Sequence, residues 1–457
     1  MEIPVKKNHE YEVEIIDNGY DGEGIAKIED FTIFIPGAIK GEKCRILIVK
    51  VNKAFAFGKL IEVIKKSNNR VQADCSTYKR CGGCNLRHIK YEETLNIKRG
   101  MVQNLVNRTL NKNIVVNKVI GMEHPFHYRN KLQYPVGIDK NNNPIMGVFA
   151  NRTHEIIPVT NCLIQNREAE KVAKKVFEFI KQNDISIYNE NTREGAIRHI
   201  VVKIGIRTDE IMCIIVSNQE NFKQEDKLVE VIKNECPKVK TIIKNINNRN
   251  TNVILGDRNI ILYGDGFIYD KLGEYTFKIS PMSFYQTNPI QTEVLYSKAI
   301  EFSKLDKEDV LYDLYCGIGT IGIFASNKVK QVYGIEIVEE AVEAARENAK
   351  LNNIDNVEFI AGDVEEAFKQ LIEEKNVKPT AIIVDPPRRG LDNTTINKIL
   401  DLEVKRVVYV SCNPATMVRD LKKLEEKYEV KEIQPVDMFP FTSHVECVAV
   451  LELKNCQ

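Results

Sequence analysis

The final segment of the chain, from about Tyr275 onward, alternates short β-branched runs with stretches of helical periodicity. This alternation predicts a parallel sheet with helices on both faces, because each helix returns the chain to the same edge of the sheet. Acidic residues follow four of the predicted strands: Asp313, Glu336, Asp363 and Asp385. Since the carboxyl ends of parallel strands share one edge, we expect these acids around a single ligand crevice.

A glycine turn at 315–319 follows the first of these strands and opens a helix. Gly317 and Gly319 allow the backbone to approach a ligand closely. A dinucleotide such as NAD is one candidate, since Gly322 nearly completes the Gly-x-Gly-x-x-Gly spacing. Four acids would repel a pyrophosphate, however, and they suit a cationic sulfonium. We therefore favour S-adenosylmethionine, with Glu336 accepting the ribose hydroxyls.

A further strand pattern, at 406–411, runs directly into Cys412, Asn413 and Pro414. Proline cannot continue a strand ladder, so the thiol of Cys412 is expected to project from the ligand-binding edge of the sheet. The alternative is an ordinary buried cysteine, because free Cys is among the most buried residue types. Glu446 opens the last apolar strand and is a candidate base beside Cys412, with His444 as its rival.

Composition limits the remaining possibilities. The 457 residues are 43% hydrophobic and 28% charged, which fits a globular protein of roughly three domains. Neither a run of about 18 apolar residues nor a signal peptide is present, so we expect a cytoplasmic protein without a membrane segment. Eleven cysteines in such a chain indicate metal ligation or thiol chemistry instead of disulfides.

Three cysteines are concentrated in one loop, at Cys75, Cys81 and Cys84. Three thiols at this spacing predict a metal site that needs one more ligand, and the spacing alone does not separate an iron-sulfur cluster from zinc. By count, the fourth ligand can be any of four cysteines elsewhere in the chain: Cys44, Cys162, Cys213 or Cys236.

The region before the catalytic segment divides into two parts. Short strands up to about residue 66 predict a small OB-like β-barrel, an architecture of nucleic-acid binders. Residues 67–274 are predicted to form a central α/β domain that carries the cysteine loop (67–110). Residues 275–457 are predicted to form the catalytic domain. Basic residues are in excess between Asn68 and Arg108, which fits either a phosphate-rich partner or a solvated face.

Three short motifs carry a family resemblance: 385–388 (Asp-Pro-Pro-Arg), 411–414 (Ser-Cys-Asn-Pro) and 444–446 (His-Val-Glu). Together with 284–288 (Phe-Tyr-Gln-Thr-Asn), they resemble the RNA uracil-C5 methyltransferase family. Uracil C5 is a poor nucleophile until a thiolate adds at C6, and a base must later remove the C5 proton. The resemblance implies a Rossmann-like class I methyltransferase domain, Cys412 as nucleophile and Glu446 as base. It implies cofactor contacts by seven residues: Gln286, Tyr315, Gly317, Gly319, Glu336, Asp363 and Asp385.

The same resemblance bears on the other two domains. It selects Cys162 as the fourth ligand of a [4Fe-4S] cluster, with zinc as the alternative, and it identifies residues 1–66 as a TRAM domain that binds RNA. Possible RNA contacts are the basic residues Arg129, Lys131, Arg198 and Arg388. Arg388, Arg389 or Arg419 is expected to lower the pKa of Cys412, since a nearby cation favours the thiolate.

The sequence thus predicts an S-adenosylmethionine-dependent enzyme that forms 5-methyluridine in RNA. The TRAM domain and the iron-sulfur motif favour 23S rRNA, and the T-loop of tRNA is the alternative substrate. A non-catalytic iron-sulfur RNA-binding protein is the alternative from another functional class. We expect a monomer with no obligate protein partner, acting on unstacked or loop RNA because the uridine must leave its stack to reach the thiol.

Overall fold

A computed structural model describes residues 3–110, 114–151 and 153–454 of the chain. The N-terminal part is a six-stranded sheet in the order β1-β5-β6-β4-β3-β2. Alternate residues of β5, among them Cys44, Ile46 and Ile48, are fully buried and form the core beneath the sheet. The strands are β1 (Glu10–Glu14), β2 (Asp17–Asn18), β3 (Gly24–Ile28), β4 (Phe31–Ile35), β5 (Lys43–Val51) and β6 (Phe55–Lys65).

The predicted closed barrel is not found in this N-terminal sheet. Among the described residues, β1 and β2 lie at opposite ends of the strand order, and no registered pairing joins them. The Ile16 amide, between β1 and β2, donates to the Ile25 oxygen of β3, next to the β2–β3 pairing. The strand order by itself therefore does not confirm the predicted OB-like barrel.

The central part is a seven-stranded mixed sheet in the order β13-β12-β11-β10-β7-β8-β9. Strands β10 and β11 are buried along their whole length, because one face packs on α2 and α3 and the other on the catalytic domain. The elements are α1 (Tyr91–Thr109), β7 (Lys131–Ile138), β8 (Pro144–Phe149), β9 (Ile156–Pro158), α2 (Arg167–Gln182), β10 (Ile197–Ile204), β11 (Ile211–Ser217), α3 (Glu225–Glu235), β12 (Val239–Ile246) and β13 (Arg258–Tyr263).

The C-terminal part begins with the hairpin β14 (Ile268–Leu272) and β15 (Tyr275–Ile279) and continues into a second seven-stranded sheet. The strand order of this sheet is β18-β17-β16-β19-β20-β22-β21. Its elements are α4 (Pro289–Ser303), β16 (Val310–Leu314), α5 (Thr320–Ala325), β17 (Gln331–Glu336), α6 (Glu339–Leu351), β18 (Val357–Ala361), α7 (Val364–Phe368), β19 (Ala381–Val384), α8 (Asn393–Leu402), β20 (Arg406–Ser411), α9 (Pro414–Leu424), β21 (Tyr428–Val436) and β22 (Glu446–Leu453).

This sheet has the topology that the strand and helix alternation predicts. The chain moves outward from β16 to β18, then returns to place β19 on the other side of β16, and all these pairings are parallel. The crevice between β16 and β19 is therefore a topological switch point, where open α/β sheets bind ligands. The last two strands, β21 and β22, are antiparallel additions.

Two segments that precede residue 275 pack with the catalytic domain. Buried residues of α1, including Val102 and Val106, share a core with Leu421 of α9. The hairpin β14–β15, which the predicted boundary at 274/275 divides, contributes Phe277 and Ile279 to the core around Leu311. No helix in the described part of the chain is both long and apolar enough to span a bilayer.

Candidate active site

The glycine turn after β16 forms one wall of the crevice. Gly317 and Gly319 adopt φ values of 54° and 79°, a region that favours glycine. An added Cβ at Gly319 would lie 2.6 Å from the ring of Phe359, whereas at Gly317 it would meet nothing within 4 Å. Open space therefore lies beside Gly317, where the backbone can approach a ligand.

Glu336, at the end of β17, braces this turn. One carboxylate oxygen accepts a hydrogen bond from the Gly317 amide at 3.1 Å, and the other accepts from the Val338 amide at 3.0 Å. Both oxygens retain further lone pairs, because a carboxylate has about four acceptor sites. The side chain is half-buried beside the open space, so it can accept ribose hydroxyls as predicted.

Asp313 and Tyr315 flank the same turn. Asp313 is fully buried, its Oδ2 accepts a hydrogen bond from the Gly322 amide at 2.8 Å, and burial raises its pKa to about 8. Tyr315 has a left-handed φ of 66°, and its hydroxyl lies 3.1 Å from that of Thr395 on α8. Its ring packs in the core beneath the sheet. Only part of the Tyr315 residue, which the sequence predicted to contact the cofactor, can therefore face the crevice.

The remaining predicted cofactor residues lie along the same edge. Asp363 is exposed after β18, and its Oδ1 caps α7 by accepting from the Glu366 amide at 2.9 Å. Asp385 follows β19, and burial raises its pKa to about 7. Gln286 lies beside the buried Tyr296, whose pKa is raised by burial and further by the charge of Asp385. The crevice is thus bordered by carboxylates that a bound cation would stabilise.

Cys412 and Glu446 meet where β20 and β22 end beside the crevice. The two strands are antiparallel, and Ser411 pairs with Cys447 in their register. Continuing this register by one residue places Cys412 directly opposite Glu446, a position in which side chains of neighbouring strands contact each other. Glu446 is 3% exposed, while Cys412 is half-buried and accessible from the crevice.

The charges of this pair and of Asp385 are coupled. Burial raises the pKa of Glu446 to about 8, and the carboxylate of Asp385 adds to the shift. Burial also raises the pKa of Cys412 to about 11, with further contributions from Glu446 and Asp385. Two carboxyl groups and a thiol therefore compete for ionisation in one small volume, and a cationic ligand would relieve that competition.

Arg388 is the arginine that reaches this group. Its charge acts to lower the pKa of both Cys412 and Glu446. Arg419 is instead paired with Asp420 at 2.7 Å, and it also donates to the backbone oxygen of Arg389. Of the three arginines, Arg388 thus has the expected effect on the Cys412 pKa, but burial and two acids outweigh this one exposed arginine.

The four predicted metal ligands line one cavity of about 190 Å³. Cys75, Cys81 and Cys84 enter it from the cysteine loop, and Cys162 enters from the segment after β9. Burial raises the pKa of Cys84 to about 12, and the other three thiols contribute to that shift. No group of three or more His, Cys, Asp or Glu within the described ranges forms a site for a metal ion, so the thiols surround a space and do not converge on a point.

The cavity wall is polar and cationic between the thiols. Arg87, Arg129 and Lys131 line it, and one buried guanidinium nitrogen of each arginine lacks a hydrogen-bond partner. The other candidate ligands lie elsewhere, since Cys44, Cys213 and Cys236 are buried in the cores of the N-terminal and central sheets. The donor set and the charge of the wall suit an anionic group held by four thiolates.

The predicted RNA contacts divide according to exposure. Arg388 is exposed at the crevice, whereas Arg129 and Lys131 face the cysteine cavity. Arg198 is 7% exposed, its guanidinium donates to the backbone oxygens of Asn247 and Arg249, and it stacks 4.3 Å from the ring centre of Tyr188. These contacts give Arg198 a structural role. Its buried position does not support the prediction that Arg198 contacts RNA.

The basic excess between Asn68 and Arg108 is partly internal. Arg70 pairs with Glu42, and Lys98 pairs with Asp437 where both side chains are fully buried. Other members are exposed, including Lys79, Lys90 and Arg108. Ion pairs with distant segments therefore account for part of this zone.

Two side chains from outside the C-terminal sheet form hydrogen bonds to the segments that carry Cys412 and Glu446. No sequence motif predicted these bonds. The hydroxyl of Tyr20, from the N-terminal sheet, donates to Asn413 Oδ1 at 3.1 Å. Asn85, next to Cys84, accepts from the Ser443 amide at 2.8 Å through Oδ1 and donates to its hydroxyl at 3.0 Å. Both the N-terminal sheet and the cysteine loop thus bond to the segments that carry Cys412 and Glu446.

Comparisons with known proteins agree with this geometry. Residues 260–454 match the family described as tRNA (Uracil-5-)-methyltransferase, and residues 4–61 match the TRAM domain. The chain is 47% identical over 454 residues to an uncharacterized RNA methyltransferase of Clostridium acetobutylicum, covering 98% of each. It is 43% identical to another from Oceanobacillus iheyensis, covering 99% of this chain and 98% of the relative.

A solved structure resembles nearly the whole chain. The tRNA (uracil-54, C5)-methyltransferase of Pyrococcus abyssi, in complex with S-adenosyl-L-homocysteine, superposes with a TM-score of 0.76 at 28% identity. The match covers 96% of this chain and 99% of that one.

Proposed function

Because this chain belongs to the RNA uracil-5-methyltransferases, which depend on S-adenosylmethionine, we propose that it methylates uridine C5 through a covalent adduct between Cys412 and C6 of the base. The observation that carries this proposal is the placement of Cys412 opposite Glu446 at the ends of two adjacent strands. A nucleophile and a base side by side are what this chemistry needs.

The residues act in sequence on the flipped uridine. The thiolate of Cys412 bonds to C6, and the electron pair of the C5–C6 double bond moves onto C5 and the C4 carbonyl. S-adenosylmethionine supplies an electrophilic methyl group, which C5 takes up. Glu446 then removes the C5 proton, the double bond re-forms, and Cys412 leaves as a thiolate. Arg388 and the sulfonium charge both favour the thiolate at the start of the cycle.

The proposed cofactor site uses the carboxyl edge of β16 to β19. Open space beside Gly317 supports close approach of the ligand to the backbone, and Glu336 is placed to accept the ribose hydroxyls. Asp385, near the reacting groups, suits the sulfonium end because burial without a counter-ion raises its pKa. Gly319, Asp363, Gln286 and Tyr315 complete the proposed set.

We also propose that the four cysteines hold a [4Fe-4S] cluster. A zinc ion would need four sulfurs about 2.3 Å from one point, whereas these thiols line a space of about 190 Å³. The cations in the wall, Arg87, Arg129 and Lys131, would balance a negatively charged cluster. Methyl transfer needs no electrons, so the cluster is proposed to order the loop that bonds to Ser443.

For the substrate we propose 23S rRNA, with the tRNA T-loop as the second candidate. A cysteine cavity beside a TRAM domain supports the first, and the tRNA named for the Pyrococcus abyssi enzyme supports the second. The relatives are RNA methyltransferases, so a non-catalytic RNA-binding role has no support.

The deciding experiment incubates the protein with methyl-labelled S-adenosylmethionine and either a 23S rRNA transcript or a mixture of unmodified tRNAs. We expect labelled 5-methyluridine at discrete positions of the rRNA, located by nuclease mapping and mass spectrometry. Label confined to tRNA would select the second candidate. Label in a nucleoside other than 5-methyluridine would contradict the proposed reaction.

A further inference from the structure

The loop at 18–24 of the N-terminal sheet reaches the catalytic turn. Tyr20 lies at its tip, and its hydroxyl donates to Oδ1 of Asn413, the residue that follows Cys412, at 3.1 Å. The two residues are 393 positions apart in the sequence. The hydroxyl is also close enough to Cys412, Cys447 and Arg388 for their charges to act on its pKa, which burial raises.

The loop that carries Tyr20 is held rigidly from within. Asn18 is 6% exposed, and its side-chain amide donates to the backbone oxygens of Gly22, Glu23 and Ala38. Gly22 has a φ of 80°, and a Cβ there would lie 2.5 Å from a methyl group of Leu86. The loop thus packs closely on Leu86 of the cysteine loop, and Tyr20 reaches Asn413 from this packed loop.

A second contact holds the same loop to the segment before Glu446. The backbone oxygen of Asp21 accepts from the side-chain amide of Asn85 at 2.6 Å. Asn85 in turn bonds to the backbone and the hydroxyl of Ser443. One rigid loop of the N-terminal domain is therefore linked to both segments that carry the proposed reacting groups.

Asn413 shapes the turn in which Cys412 lies. Its Oδ1 accepts from the Ala415 amide at 3.2 Å and caps α9, and its Nδ2 donates to the Arg388 backbone oxygen at 3.0 Å. The Tyr20 hydroxyl is the donor from outside the catalytic domain at this side chain. Loss of that donor leaves Asn413 freer to rotate, and the thiol beside it would lose part of its orientation.

We propose that the N-terminal domain completes the active site, with Tyr20 acting through Asn413 as a positioning residue for the Cys412 thiol. This role rests on the proposed covalent function of Cys412 and adds to RNA binding by the TRAM domain. It requires the hydroxyl of Tyr20, so a phenylalanine at this position does not replace it.

The test uses the full-length protein and a 23S rRNA transcript made with 5-fluorouridine, whose C5 has no proton to remove, so the covalent adduct accumulates. We expect Tyr20→Phe to slow adduct formation by about 2- to 10-fold, the effect of losing one hydrogen bond. The affinity for unsubstituted transcript should stay within about twofold. Tyr11→Phe is the matched control, because the Tyr11 hydroxyl accepts a hydrogen bond from the Lys6 amide on the surface of the same sheet.

Two further results distinguish positioning from other roles. In an Asn413→Ala background, Tyr20→Phe should cause no additional slowing, since the hydroxyl has lost its partner. Adduct formation at the unchanged rate in Tyr20→Phe, or a change in RNA affinity alone, would overturn the inference and leave the proposed function intact. An unchanged protein that forms no adduct with 5-fluorouridine-containing 23S rRNA or tRNA transcripts would contradict the proposed function and the inference with it.

Discussion

Cys412 and Glu446 lie opposite each other across β20 and β22, one residue beyond the registered pair of Ser411 and Cys447. This relationship brings a thiol and a carboxyl group to one side of a crevice that ends in the glycine turn. Burial raises the pKa of both groups, Asp385 adds to both shifts, and the charge of Glu446 further raises the pKa of Cys412. The predictions below follow from this shared environment and from the segments that hold it in place.

Release of the C5 proton should depend on the ionisation of Glu446. Only the carboxylate can accept the proton, and the Glu446 pKa is raised to about 8. The single-turnover rate of tritium release from RNA labelled at uridine C5 should therefore rise above about pH 6, reach half of its maximum near pH 8 and level off above about pH 9. Arg388 lowers this pKa, so Arg388→Gln should move the midpoint to higher pH at saturating RNA. A rate that falls over the same interval would exclude Glu446 as the base.

Cys412→Ala should abolish methylation, a loss of at least about 10³-fold, because no other group can add to C6. Binding of S-adenosylmethionine, measured by calorimetry, should be retained, since the glycine turn and Glu336 are untouched. Cys447→Ala is the control, because that thiol is adjacent in sequence to Glu446 but fully buried in the sheet. Methylation that survives in Cys412→Ala and disappears in Cys447→Ala would reassign the nucleophile.

The cysteine cavity makes a prediction about metal content. Protein purified without oxygen should contain about four iron and four sulfide per chain. Cys84→Ser should lose most of both, because Cys84 is a cavity thiol, whereas Cys236→Ser should retain them, because Cys236 lies in the core of the central domain. Iron and acid-labile sulfide analysis, together with the visible absorption spectrum, measures the cluster content of the unchanged protein and of both variants. One zinc per chain and no sulfide would favour the alternative metal.

The buried pair of Lys98 and Asp437 should contribute to stability through the segment before Glu446. Both side chains are fully buried, and Lys98 also donates to the Phe439 backbone oxygen at 3.1 Å. Lys98→Met removes the counter-ion of a buried carboxylate, which keeps the hydrogen bond from the Tyr91 hydroxyl, and should cost about 3–5 kcal/mol in unfolding free energy. Lys43→Met removes an exposed pair with Glu12 and should cost no more than about 1 kcal/mol. Equal midpoints of denaturation for the two variants would contradict this account.

The sequence predicted the catalytic domain well, because its evidence is local. Strands with Asp313, Glu336 and Asp385 at their ends are recognised from apolar runs, and the intervening helical periodicity indicates parallel pairing. Cys412 and Glu446 could be paired because each lies at the end of a predicted strand. Their raised pKa values could not be predicted from the sequence, because these values depend on burial and on charges from other loops.

The parts that differed depend on contacts between distant segments. The N-terminal strands have the alternation of a barrel, but closure depends on edge pairings that the alternation does not specify. Arg198 and Lys98 are basic residues in the sequence, and only the fold places them against buried backbone oxygens or a buried acid. Tyr20 lies in a glycine-rich turn with no motif, so its bond to Asn413 had no local signal.

The most direct measurement concerns Glu446→Gln, which keeps the size of the side chain and removes the base. With S-adenosylmethionine and substrate RNA, this variant should transfer one methyl group and then stop, because C5 retains its proton and Cys412 cannot leave. We predict a protein-RNA species that migrates slowly on a denaturing gel, and mass spectrometry of its digest should find methylated uridine attached to the peptide containing Cys412. Full turnover by this variant, or an adduct on another residue, would contradict the account.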